Sequence, residues 1–106
     1  MKDNIYLERV IKYIEKINRY MEAIDSYEMF LVNEEKTDAV ILNLEQIGET
    51  VKKLSEEFTN NFPEIEWKNI KGLRNMISHE YEGIKVEIIY YAATTLINDV
   101  LTKLIN

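Results

Sequence analysis

The stretch DAVILNLEQIGETVKKLSEEF, residues 38–58, decides the fold. Its apolar residues Val40, Leu44, Ile47, Val51, Leu54 and Phe58 recur at spacings of three and four, the period of one helix face. The spacing predicts an amphipathic helix with Thr37 or Asp38 as its N-cap. Toward the N-terminus, Val10, Tyr13, Ile14, Ile17, Tyr20, Met21, Ile24 and Tyr27 keep the same period and predict one helix over 5–31, opened by Asp3 or Asn4. The polar run VNEEKTD, residues 32–38, separates the two. In the other direction, Asn60, Asn61 and Phe62 precede Pro63, which fits a connection or a first helical turn. Trp67, Ile70, Leu73 and Ile77 mark a third, shorter helix that ends near His79, with Gly83 supplying the turn. Val86, Ile89, Ala93, Leu96, Ile97, Val100 and Leu104 mark a fourth, whose other faces carry Ile88, Tyr90, Tyr91 and Ala92.

No stretch alternates with period two, so the expected fold is all-α: an antiparallel bundle of about four helices in one domain over residues 1–106. The second apolar face of the fourth helix has two compatible explanations. It is the central element of a small bundle, or it is a dimer interface that supplements a limited core.

Composition narrows the function classes. With 46% apolar and 30% charged residues, three glycines and one proline in 106 residues, the chain has the makings of a packed core rather than of disorder. The absence of cysteine excludes disulfides, thiolate metal sites and a cysteine nucleophile, and a single histidine argues against a conventional zinc site. A net charge of −6 excludes a broadly basic nucleic-acid coat, so any nucleic-acid contact is local. Charges scattered through MKDNIYLERVIKYIEK exclude a secretory signal, and no apolar run approaches the roughly 20 residues that span a bilayer. The expectation is a cytoplasmic protein that needs no cofactor and contacts no membrane.

The stretch that carries chemistry is KNIKGLRNMISHEYEG, residues 68–83, which gathers Lys68, Lys71, Arg74, Asn75, the only histidine and Tyr81 in an otherwise acidic chain. At about 100° per residue, Lys68, Lys71 and Asn75 share a helix face with Arg74 beside them, while Leu73 and Ile77 point to the core. On an unbroken helix Arg74 and His79 stand about 140° apart and about 7.5 Å along the axis, so one copy brings them together only if the helix ends by His79. Each residue also has a plainer reading. Arg74 serves equally as a surface cation, His79 as a cation at a helix C-terminus, Tyr81 as a packed ring with its hydroxyl at the surface, Lys68 and Lys71 as solvated charges, and Glu80 and Glu82 as polar filler.

The run LRNMISHEYEG has Arg74 and His79 separated by four residues with Tyr81 two beyond, and resembles the RX4HXY motif of HepT-like toxins of the HEPN domain superfamily. DAVILNLEQIGE (38–49), LSEEF (54–58) and PEIEWKNIKGLRN (63–75) resemble that family in order and spacing, while the first 35 residues are generic helix. Two departures stand out: Thr50 replaces a common alanine after IGE, and Met76 to Ser78 replace a more basic filling. The resemblance implies a helical homodimer whose two motifs face one cleft, and metal-independent RNA cleavage with Arg74 and His79 catalytic and Asn75 supporting. Lys68 and Lys71 are the candidate phosphate contacts. It also implies a toxin–antitoxin system: a minimal nucleotidyltransferase partner would silence the toxin by transferring AMP to Tyr81. Two rivals stand beside this: a non-catalytic docking or substrate-binding subunit of that nucleotidyltransferase, and a helical dimerisation protein with no chemistry.

The residue types suit the chemistry. An ordinary histidine titrates near 6.5 and so gives or takes a proton at neutral pH. An arginine stays charged, and its fork matches phosphate oxygens where negative charge develops. One histidine does not easily act as both base and acid in a turnover, whereas a two-fold dimer holds two.

Overall fold

The computed structural model describes residues 2–79 and 85–105, with the side chains of all of these except Ser78 and His79. The expected turn at Gly83, and Glu80, Tyr81 and Glu82, lie outside the described residues. Among the described residues all regular structure is helical: α1 (Lys2–Met21), α2 (Tyr27–Val32), α3 (Glu34–Val51), α4 (Glu56–Asn60), α5 (Trp67–His79), and α6 (Val86–Tyr91) continuing through a π-helical turn (Ala92–Leu96) into α7 (Ile97–Ile105). The four rods α1, α3, α5 and α6–α7 answer to the four expected helices; α2 and α4 were not expected as separate elements.

Local chemistry explains both differences. The predicted helix over 5–31 stops at Met21, where the backbone turns through Glu22 N–H to Arg19 and Ile24 N–H to Met21. It restarts at Tyr27 because the Ser26 hydroxyl accepts the Met29 N–H at 3.2 Å, an N-cap. The apolar period runs through this break because α2 buries Phe30 in the same core. The polar run at 32–38 is a single-residue joint rather than a linker. Asn33 N–H closes α2 on the Phe30 carbonyl, and its side chain accepts the Lys36 N–H at 3.0 Å to open α3. The cap is therefore Asn33, not Thr37 or Asp38. Glu34 and Glu35 occupy the first turn of α3, where the helix dipole favours acidic side chains, and the Thr37 hydroxyl donates back to the Phe30 carbonyl at 2.8 Å. The predicted extension of α3 to Phe58 is interrupted likewise: Ser55 caps α4 by accepting the Phe58 N–H at 3.1 Å.

The core is built from Val10, Ile14 and Ile17 of α1, Phe30 of α2, Val40, Leu44, Ile47 and Val51 of α3, Ile70, Leu73 and Ile77 of α5, and Ile89, Ala92, Ala93, Ile97 and Val100 of the last rod. α3 lies between α1 and α5 and packs closely on both; the last rod crosses α1 through its π turn and α7. Two long-range clasps fix this arrangement. The Asp3 carboxylate accepts the backbone N–H and the hydroxyl of Ser55 at 2.8 and 2.7 Å, tying the start of α1 to the cap of α4. Asn18 on α1 donates to Asn98 on α7 at 3.0 Å. Trp67, at the start of α5, donates its indole N–H to the Thr59 and Phe62 carbonyls, both at 3.1 Å, anchoring α5 to the turn around Pro63.

The last rod corrects one expectation. Val86–Ile105 is 20 residues long, its most apolar stretch of 18 residues has a mean hydropathy of 1.2, and by length and composition alone it is long and apolar enough to cross a bilayer. One face of this rod packs into the core.

Candidate functional site

α5 carries the expected chemistry, and its register sorts the side chains as predicted. Leu73 and Ile77 are buried, Lys68 and Asn75 are exposed, and Lys71 and Arg74 are half-buried. Arg74 stands on the flank of α5 that faces α3, and what it meets there is the most specific geometry in the molecule. Glu49 Oε2 lies 2.9 Å from Arg74 Nε, and Arg74 Nη1 donates to Asn75 Oδ1 at 3.3 Å. The guanidinium is thus held at its root by a carboxylate and along one side by an amide. About a third of the Arg74 side chain remains open to solvent.

Gly48 makes that contact reachable. A Cβ at residue 48 would sit 2.8 Å from the Arg74 amide nitrogen, 3.0 Å from Arg74 Cβ and 3.0 Å from the Ile70 carbonyl oxygen. Two of these are backbone atoms that cannot swing aside, so only glycine lets α3 and α5 approach this closely. A mid-helix glycine costs about 1 kcal/mol against alanine, a sign that its position serves packing. Neither Gly48 nor Glu49 was identified as a site residue from sequence. The isolated glycine within a clean apolar period was the signal available for the first; the second announces itself only once α3 and α5 are side by side.

α5 is helical through His79, so the register leaves Arg74 and His79 about 140° apart around one axis. The His79 side chain and the whole of Tyr81 lie outside the described residues. Lys68 and Lys71 pair with no carboxylate among the described residues, and they flank Asn75 on the open face. Among the described residues no three acidic or histidine side chains gather closely enough to hold a metal ion.

On its other flank α5 borders a groove of about 390 Å3 shared with α6 and the π turn, lined by Gly72, Leu73, Met76, Ile88, Tyr91 and Leu96 among others. Ile88 and Tyr91 stand 43% and 57% exposed, and a Cβ at Gly72 would meet nothing within 4 Å. Of the second apolar face expected of the last helix, Ile88 and Tyr91 are uncovered in the single chain, whereas Ala92 is buried and Tyr90 is half-buried against Tyr27 and Phe30.

These features can be set beside known proteins. The family model described as "Ribonuclease HepT-like" matches residues 10–105. The chain belongs to the HepT-like family. Among its relatives, the Methanocaldococcus jannaschii protein "Putative RNase MJ0127" is 43% identical over 65 residues, 61% of this chain and 54% of the relative. "Putative RNase TTE0752" of Caldanaerobacter subterraneus subsp. tengcongensis is 40% identical over 65 residues, 61% of this chain and 58% of the relative. "Probable ribonuclease HepT" of Thermococcus cleftensis is 34% identical over 64 residues, 60% of this chain and 58% of the relative. The match thus spans little more than half the length of these curated HepT-like relatives. No solved structure matches the chain.

Proposed function

We propose that this HepT-like chain is a metal-independent endoribonuclease, the toxin of a toxin–antitoxin pair, acting as a homodimer. The observation that carries the reading is Arg74, oriented by Glu49 and Asn75 beside the unpaired cations Lys68 and Lys71, in a chain whose net charge is −6. A local cationic face of this kind suits contact with a short run of phosphates rather than extended coating of RNA.

In the proposed reaction the ribose 2′-hydroxyl attacks its own phosphate and the 5′-oxygen leaves. Arg74 supplies fixed positive charge to the phosphorane oxygens, and His79 takes the 2′-proton or protonates the leaving oxygen. Asn75 supports the Arg74 fork. The roughly 140° between Arg74 and His79 on one helix favours a composite site in which each motif is completed by the second copy. The uncovered groove at Gly72, Ile88 and Tyr91, beside the cationic face, supports seating of that copy. Tyr81, two residues past His79, is the proposed AMP acceptor for a nucleotidyltransferase partner. Added bulk and negative charge there would repel phosphate.

The test is cleavage of RNA in excess EDTA by wild type, His79→Ala and Arg74→Ala at matched folding and oligomeric state. Cleavage by the wild type alone supports the reading. Failure of the unmodified wild type, verified by intact mass, on structured and unstructured RNAs would favour the docking-subunit rival, which the acidic surface suits.

A further inference from the structure

We propose that Glu49 is the positioning residue for Arg74, holding the guanidinium by its Nε side so that its remaining N–H groups face an RNA phosphate; the assignment deepens the ribonuclease reading and rests on it. A carboxylate beside a phosphate site is unfavourable on charge alone, because it repels the substrate and partly cancels the arginine. Its presence at 2.9 Å from Nε calls for a benefit that outweighs that repulsion.

The geometry supplies one. A guanidinium has five N–H donors. Glu49 engages the Nε side and Asn75 takes one from Nη1, which leaves Nη2 and the other Nη1 hydrogen for a phosphate oxygen pair. Because α3 approaches α5 over Gly48, Glu49 reaches the root of the Arg74 head group rather than its tip, so the pairing restrains the side chain without covering its outer edge. Glu49 Oε2 is sealed from water, and no N–H among the described residues points squarely at it. The contact is thus a charge pairing at close range rather than a linear hydrogen bond. The same oxygen would be left buried and unpaired in Arg74→Ala, so that variant mixes lost chemistry with lost stability. Variants of Glu49 separate the two.

Glu49→Ala, Glu49→Gln and Glu49→Asp are compared with wild type by single-turnover RNA cleavage and by binding of a non-cleavable 2′-deoxy analogue. Preorganisation predicts that Glu49→Ala loses about 10- to 100-fold in cleavage rate while binding of the analogue holds or tightens. Glu49→Gln, which keeps the shape but not the charge of the pairing, stays close to Glu49→Ala; Glu49→Asp, which keeps the charge one methylene short, recovers part of the rate. Wild-type cleavage by Glu49→Ala would overturn the assignment.

A second readout does not depend on activity. In 15N spectra the Arg74 Nε–Hε signal, assigned by its loss in Arg74→Lys, is expected to exchange with water more slowly than those of the exposed Arg9 and Arg19, and to lose that protection in Glu49→Ala. Equal exchange in wild type would overturn the proposal outright. A protected signal in a protein that cuts no RNA would leave the guanidinium positioned and the ribonuclease reading refuted.

Discussion

A single missing Cβ sets the distance on which the site depends. Gly48→Ala would gain helix propensity of about 1 kcal/mol but drive a methyl group against the Arg74 nitrogen and Ile70 oxygen, an overpacking that costs about 1 to 3 kcal/mol. The net expectation is a lower urea midpoint and an α3–α5 spacing that carries Glu49 away from Arg74. An unchanged midpoint would mean that the two helices slide apart freely. Asp3 makes a second prediction at this scale. Its hydrogen bond from the Ser55 hydroxyl, and then that from the Ser55 amide, hold its pKa below the ordinary 3.8. The native carboxylate therefore binds protons less readily than the unfolded one. The clasp contributes fully above about 3.8 and is lost as pH falls through the lower native value. Asp3→Asn should unfold at lower urea than wild type at pH 7, with the gap closing in strong acid. A gap that widened in acid would contradict this sign.

Among the elements, the joint at Asn33 joins two helices with one side chain and one amide. Asn33→Ala removes the cap of α3 and should cost about 1 kcal/mol, a drop of about 4 to 8 °C in Tm for a domain of this size, while Thr37→Ala, which spares the cap, should cost less. Equal losses would relocate the cap to Thr37. The helical identity of residues 38–51 and 67–79 was legible because apolar spacing at 3.6 is a property of the chain itself. The break at 22–26 was not, and the break read at 32–38 gave no sign that a single residue, Asn33, makes it. The period is indifferent to a cap, and the acidic pair Glu34 and Glu35, which read as a linker, belongs to a first turn because the helix dipole favours it there.

For the whole molecule, the uncovered apolar groove makes a prediction about assembly. Ile88→Asp combined with Tyr91→Glu places charge on positions that are 43% and 57% exposed, so the fold should survive by circular dichroism. If a second copy seats there, light scattering should show a monomer, and RNA cleavage should fall with the dimer. A monomeric double variant that cleaves at the wild-type rate would refute the composite site.

The period of the apolar residues, the helical class and the identity of the cationic cluster on α5 were determined by the sequence itself, because each depends on neighbours within a few residues. Only the tertiary structure decided that Glu49 meets Arg74, 25 positions along the chain, and that Asp3 meets Ser55, 52 positions along. Such pairs depend on the separation and rotation of whole rods. Those are set by backbone atoms in contact, above all at Gly48, and not by the character of either partner side chain.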